Sequence, residues 1–263
     1  MDQNHVLARA TLARVEVAQQ RKDWRARSFR RFPEKALPAI SVIVPAHNEQ
    51  DYLGPTLDAL NGQDYPECEI IVVANGCSDL TADVARARCH RLVTLAQKGL
   101  GVARNLGARM AAGELLVFLD ADTILEPHAL RTIGEQFTRQ DAGGTVKGQP
   151  DSSRFAYRLI YGLKNFIHRF VVRNGSSGVI ICWKEHFTRV GGFDERLELR
   201  ENSELIRRLK KFGGYKYIGE TAATTSMRRY ERRGVWPIVR LWLKLWVLSF
   251  FGDLSNRKYE SVR

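Results

Sequence analysis

Acidic side chains are in short supply. The 263-residue chain sets 29 aspartates and glutamates against 41 lysines and arginines, a formal net charge of +12. That imbalance calls for an anionic partner: nucleic acid, a phosphorylated substrate or an acidic membrane face. Cysteine is also scarce. Cys68, Cys77, Cys89 and Cys182 form no C-x-x-C pair and no metal-ligand spacing, and read as reduced thiols of a cytosolic compartment. The N-terminal MDQNHVLARA carries no apolar signal core, so secretion is not expected. Neither an internal repeat nor a low-complexity tract is visible. What remains is ordinary for one sizeable α/β domain with decorations, 44% hydrophobic and 27% charged.

The most informative stretch is Phe118-Leu119-Asp120-Ala121-Asp122-Thr123. An apolar run, Leu115 to Leu119, reads as a buried strand and ends in two carboxylates one residue apart. Open α/β sheets bind ligands at that edge. Paired acids there call for a compensating cation, and Mg²⁺ or Mn²⁺ prefer carboxylate oxygens while sharing their other positions with substrate phosphates. The plainer alternative is a helix cap at Asp120 beside a solvated Asp122.

Upstream, Ile40 to Val44 and Glu69 to Val73 read as core strands, each followed by a polar loop and then a helix, from about Tyr52 to Asn61 and through Arg88. Leu92 to Leu95 is a candidate third strand, and Gly99 to Ala112 a helix before the 115–119 strand. Short-looped alternation of this kind predicts a parallel, doubly wound sheet. In the second half, Gly143 to Gln149 reads as strand or loop and Ser153 to Val172 as an aromatic-rich amphipathic helix. Val179 to Trp183 reads as a strand, Glu185 to Arg189 and Glu201 to Phe212 as helices, and Tyr215 to Ile218 as a strand.

Both ends differ in character, which divides the chain into 1–37, 38–230 and 231–263. Residues 4–20 predict a modest helix, and residues 21–32 interleave cations with Trp24, Phe29 and Phe32, a pattern suited to a membrane surface or nucleic acid. Residues 235–251 are almost wholly apolar, with Arg240 and Lys244 on one helical face and Val235, Trp242 and Trp246 away from it. Two cations and Pro237 make this too short and too charged to span a bilayer, which takes about 20 apolar residues. A helix lying in the membrane interface fits better. A buried packing helix or an oligomer contact is the alternative.

The motifs SVIVPAHNE (41–49), VVANGCSD (72–79), KGLGVARNLGARMAAGE (98–114), FLDADT (118–123), GGFDE (191–195) and ENSELIRRLKKFG (201–213) follow one another in an order that resembles the family 2 glycosyltransferases. The resemblance covers roughly residues 40–230. It implies the GT-A fold, a Rossmann-like, mostly parallel twisted sheet with flanking helices, here with a basic N-terminal arm and a C-terminal amphipathic helix. It also implies a nucleotide-diphosphate-sugar donor and Mn²⁺ or Mg²⁺ at a D-x-D motif.

By that resemblance Pro45, Ala46, Asn48 and Glu49 hold the nucleobase and ribose. Asn75 stands where many members carry an acid, and its amide suits a uracil edge, which favours a UDP-sugar. Lys98 and Arg104 are expected to meet the diphosphate or the sugar. Asp120, with Ala121 beside it, is expected at ribose or sugar hydroxyls. Asp122 is expected to ligate the cation bridging the phosphates. Arg228 and Arg229 are expected to close over the diphosphate. Gly192, Phe193 and Asp194 are expected on the acceptor side. Asp79 is expected to cap the helix that follows it, and His47 and His186 read as structural.

One departure stands out. Where the family usually reads Glu-Asp-x-Asp-Leu, with the second residue as general base, this chain has Glu201-Asn202-Ser203-Glu204-Leu205. An amide cannot take the acceptor's proton. Either Glu201 is the base, or the protein is inactive, or its acceptor needs none, as an already ionised lipid phosphate would not. The leading expectation is therefore an inverting, metal-dependent glycosyltransferase, cytoplasmic and peripheral at the inner face of the membrane. Nucleic acid is not its expected partner. The alternative is a catalytically degenerate module binding membrane or nucleic acid. A nucleotidyltransferase is disfavoured by the acidic, glycine-free loop PAHNEQD.

Overall fold

The computed structural model describes residues 13–14, 37–197, 200–237 and 240. One nine-stranded sheet carries the domain. Its first half is built from β2 (Ile40–Ala46), β3 (Cys68–Asn75), β4 (Arg91–Leu95) and β5 (Leu115–Leu119), all parallel, in the order β4-β3-β2-β5. These strands read as unbroken apolar runs because both faces are covered. Val42, Val44, Ile70, Val72, Leu115 and Val117 point into one core with Leu53, Leu57 and Leu60 of α1 (Leu53–Asn61) and Ala85 of α2 (Thr81–Arg86). The alternating residues Ile43, Ile71, Val73, Leu116 and Phe118 point into the other, against Ala103 and Ala108 of α3 (Leu100–Met110). Gly107 lets α3 lie close, since a Cβ there would sit 2.4 Å from Ile43.

Beyond β5 the sheet is not parallel. β8 (Val179–Trp183) runs antiparallel to β5, and β7 (Asp141–Pro150) antiparallel to β8. β9 (Gly214–Thr225) is parallel to β7, with two register shifts, and β6 (Thr123–Leu125) is antiparallel to β9. This corrects the doubly wound expectation to a mixed sheet. Strand–helix alternation does not fix direction: α5 (Phe155–Phe166), between β7 and β8, packs on β7 near the ligand edge without bringing β8 in parallel. Several short elements escaped the sequence reading, two of them in this part of the fold. They are β6 and α4 (Ala129–Gln136), whose Leu130 and Ile133 complete the first core.

Four further elements complete the domain. A π-helical turn, Ile167–Val171, continues α5. α6 (Lys184–Arg189) follows β8, α7 (Glu201–Leu209) ends in a 3₁₀ turn at Lys210–Phe212, and α8 (Arg228–Arg233) follows β9. Ala13–Arg14 form β1, antiparallel on the free edge of β4, so at these two residues the expected helix gives way to strand pairing. The remainder of the proposed N-terminal helix, the 21–32 basic segment and residues 241–251 lie outside the described residues. Of the C-terminal apolar run, residues 235–237 and 240 are described, and they are helical. Among the described residues no helix is long and apolar enough to cross a membrane. All four cysteines are free.

Candidate active site

The loops leaving β2, β3 and β5 meet at one edge of the sheet. Asn48 stands in the left-handed region at φ 51°, and its amide oxygen accepts the Ser78 backbone N–H at 2.9 Å. Its amide nitrogen donates to Ser78 Oγ at 3.1 Å. Gln50 N donates to the Asp79 carboxylate at 3.3 Å, and the Asp79 carboxylate also accepts Thr81 N at 3.0 Å; Leu80 holds the cap position of α2, so Asp79 braces the turn before the helix rather than capping it. Its hydrogen bonds to Thr81 hold the Asp79 carboxyl below the usual range despite partial burial. These loops form a braced shelf. Gly76, at φ 64°, leaves no room for a Cβ against the Lys98 backbone, which brings Lys98 to the same shelf.

Asn75 does not present its amide to a ligand. Its Nδ2 donates to Ala46 O at 2.9 Å, its Oδ1 accepts Gly99 N at 3.0 Å, and the side chain is buried. It ties the ends of β2 and β3 to the start of α3. The uracil-edge expectation fails because a buried amide satisfies both of its ends internally when backbone groups are within reach.

Asp122 lies where the paired acids required it, at the exit of β5 and facing the first loop. Arg228 joins the two: its Nη2 donates to Asp122 Oδ2 at 3.0 Å and to Glu49 Oε1 at 2.6 Å. The same guanidinium lies over the Tyr52 ring, 4.1 Å from its centroid. The segment is held by Ser226 N donating to Asp122 O at 3.2 Å, and Thr56 Oγ1 fixes Ala121 O at 2.9 Å. Burial, reinforced by the Asp120 charge, pushes the Asp122 carboxyl up to about 6, with Arg228 opposing. Glu49 Oε2 is buried without a hydrogen-bond partner. Two convergent carboxylates, one with an orphan oxygen, already attract one cation. Among the described residues no group of three or more acids, histidines or cysteines gathers as a metal cage. A Mg²⁺- or Mn²⁺-type ion that borrows phosphate oxygens needs only one or two carboxylates, so the residues present fit such an ion.

Asp120 belongs to a second, inner network. Its Oδ1 accepts Arg104 Nη2 at 3.0 Å. Arg104 Nη1 donates to Glu201 Oε1 at 3.0 Å and to Asn202 Oδ1 at 2.7 Å. Arg104 is only 3% exposed and lies over the Phe193 ring, 5.0 Å from its centroid. It is a strut between β5 and α7 rather than a ligand on the cleft surface. Asn202 Nδ2 donates to Ser176 Oγ at 2.9 Å, so both ends of the amide are engaged. Glu201 is buried with its Oε1 bound to Arg104.

The GGFDE motif does not line an acceptor cleft. Phe193 is buried against Phe118 and Phe187, and its N–H and C=O are both bonded to the Asn105 side chain. Gly192 has φ 76°, and a Cβ there would strike Asn105 Oδ1. Asp194 accepts hydrogen bonds from Arg196, which hold its carboxyl below the usual range. The aromatic is there for the core beneath Arg104, since burying a phenyl ring outweighs exposing it to a polar sugar.

α5 supplies a side of the cleft that the motifs did not flag. Tyr157 and Tyr161 are buried with Met227, and Tyr157 packs on Tyr230 of α8. Asn165 clasps Gly148 through both its amide ends. Desolvation, with Arg229 nearby, pushes the Lys164 ammonium down to about 8, while Asp120 pulls it the other way. Arg229 likewise feels Asp122. Lys164 and Arg229 are therefore near enough to the two aspartates for their charges to interact. No spacing rule marks Lys164; only the packing of α5 over β7 brings it here.

Comparison with known proteins bears on the family and the fold. A profile described as Glycosyl transferase family 2 matches residues 41–191. Glycosyltransferase AglE of Haloferax volcanii is 37% identical over 100 residues, 35% of this chain and 32% of AglE. The chain spans about a third of the length of the curated relatives it matches. Among solved structures, mannosyltransferase PcManGT from Pyrobaculum calidifontis, in complex with GDP-Man and Mn²⁺, superposes with a TM-score of 0.62 at 19% identity, covering 72% of this chain and 57% of that one. S. aureus TarS 1-349 in complex with UDP-GlcNAc gives 0.57 at 20% identity, covering 71% and 58%. At such identities the structures speak to the fold, and they share the GT-A architecture. The profile covers more than half of the chain, and the chain belongs to glycosyl transferase family 2.

Proposed function

We propose that this protein is an inverting, metal-dependent glycosyltransferase that moves a sugar from a nucleotide-diphosphate donor to a membrane-held anionic acceptor. The observation that carries the reading is the meeting of Asp122 and Glu49 on one guanidinium at the mouth of the parallel strands. Asp122, with Glu49 beside it, would hold the divalent cation, which supplies positive charge against the diphosphate as it departs. The solved neighbours named above bind GDP-Man with Mn²⁺ and UDP-GlcNAc, which supports a nucleotide-sugar donor of this class. Asn75, its amide turned inward, gives no preference for UDP, so both UDP- and GDP-sugars are candidates.

Transfer on this reading is a single displacement. The acceptor oxygen forms its bond to the anomeric carbon as the carbon–oxygen bond to the diphosphate breaks, and the diphosphate leaves with the electron pair. Arg228 exchanges its two carboxylates for phosphate oxygens, and Arg229 adds a second positive charge. On this reading neither Glu201 nor Asn202 serves as base. Asn202 is an amide, and Glu201 is engaged by Arg104. A phosphate monoester acceptor is ionised already and attacks without one, and Lys164, whose charge interacts with Asp120, would balance its charge.

The test is release of UDP or GDP from their sugars with Mn²⁺, and transfer to a polyprenyl phosphate, for the wild type, Asp122→Ala and Glu201→Gln. Turnover that dies with Asp122→Ala and survives Glu201→Gln is the expected pattern. Loss of both equally would return the base to Glu201. Turnover of no nucleotide sugar by the wild type, with tight RNA or liposome binding, would favour the degenerate binding module that Asn202 makes conceivable.

A further inference from the structure

The outer face of α5 is inverted relative to an ordinary surface helix. Tyr157 and Tyr161 face the domain, while Phe155, Leu159, Leu163, Phe166 and Phe170 are between 56% and 78% exposed. At about 100° per residue these five fall within an arc of about 80°, a continuous apolar ridge along α5 and the π-helical turn. Surfaces of monomers rarely expose such a ridge without a partner. Its borders carry one sign of charge. Arg154, Arg158, Arg169 and Arg173 are all exposed, and no acidic residue stands between Asp151 and Glu185. Val235 packs with the inner cluster of the same helix, which places Trp236, 76% exposed, at its flank.

We propose that this ridge is the surface by which the protein docks on an anionic lipid bilayer, lying in the interface rather than crossing it. The charges select among occupants. A second copy would set like arginines against each other across a two-fold axis. Residues 241–263 are themselves net basic, so packing them here would add to the repulsion. Acidic headgroups instead neutralise the flanking arginines while the phenyl and leucyl side chains enter the acyl boundary. The opposite face of α5 bears Lys164 and Tyr161 toward Asp120 and Asp122. Docking therefore sets the two aspartates one helix away from the headgroups, within reach of a lipid-borne phosphate that enters beside α5. This last consequence rests on the proposed acceptor; the docking itself does not.

The experiment is flotation of the full chain with vesicles of phosphatidylcholine alone and of phosphatidylcholine with phosphatidylglycerol. It compares the wild type, Leu159→Glu/Leu163→Glu and Phe155→Ser/Phe170→Ser, with circular dichroism and melting to confirm folding. The expected result is wild-type binding to the anionic vesicles alone, weakened by salt, and reduced roughly tenfold or more in both double variants. Vesicle-free release of nucleotide from the sugar donor should be unchanged in them. Full binding by the variants would place the anchor elsewhere, as in residues 241–263, and overturn the proposal. A wild type that ignores vesicles also overturns it, whether it is a dimer that the variants dissociate or a monomer. Absence of donor turnover in a wild type that floats as expected would sink the proposed function and leave the docking surface standing.

Discussion

The two halves of the sheet manage polarity in opposite ways. In the parallel half, β4-β3-β2-β5, polar side chains are taken up by one another. Asn75 bonds two backbones, Asn48 laces two loops, and Arg104 joins Asp120 to Glu201 and Asn202. In the mixed half, α5 and α8 turn cations and apolar side chains toward the cleft and the surface: the Lys164 ammonium, the Arg228–Arg229 pair and the apolar ridge. On the proposed reading the braced half holds the donor, because a preformed shelf avoids reorganisation when a nucleotide arrives. The other half, on the same reading, meets the acceptor and the bilayer.

That contrast can be broken most sharply at Asp122. Asp122→Ala should lower transfer by roughly a thousandfold or more while leaving the melting temperature close to wild type, since it removes a group acting on developing charge. Steady-state kinetics with Mn²⁺ check it, and near-normal turnover would end the assignment. Next is Arg104→Ala, which leaves Asp120 and Glu201 without their buried cation. A loss of about 3 to 5 kcal/mol in urea denaturation is expected, accompanied by reduced turnover. Were Arg104 a mere ligand contact, KM would change and stability would not.

Phe193→Ala should cost about 3 kcal/mol of stability by opening a cavity beside Phe118 and Phe187. An altered acceptor KM with unchanged stability would restore Phe193 to the acceptor side. Glu201→Gln should change turnover by only a few-fold, the neutral amide still accepting from Arg104. The smallest effect concerns pH. Burial, with Lys164 adjacent, pushes the His168 imidazole from 6.5 down to about 3. The folded protein keeps it neutral while the unfolded chain protonates below about 6.5, so His168 weakens the fold progressively as pH falls from about 6.5 toward 3. Melting curves across that window should be flatter for His168→Gln than for the wild type, and parallel curves would discount the group.

Much of the parallel half was legible from the chain alone. Apolar runs at 40–44, 69–73 and 115–119 are strands because both of their faces are buried, and each polar loop falls at the ligand edge as short-looped alternation requires. That Asp122 and Arg228 belong at the edge where the strands end was legible in their motifs. The roles of Asn75, Arg104 and Phe193 were not, because a motif says that a residue type belongs at a place and not which way its side chain turns. Asn75 and Phe193 turn inward, and Arg104 spans the interior.

Local pattern settled what is decided between near neighbours: strand against helix, the polar turn at Asp79, the acids at the end of β5. Tertiary packing decided the rest. Whether β8 enters parallel or antiparallel, whether α5 covers the cleft, and which of its faces meets water depend on contacts between residues far apart in sequence. The aromatic richness of residues 153–172 was plain from the start. That its ridge points outward, beside the cleft, follows only once Tyr157 and Tyr161 have taken the inner face, because a helix has a single side to give to the core.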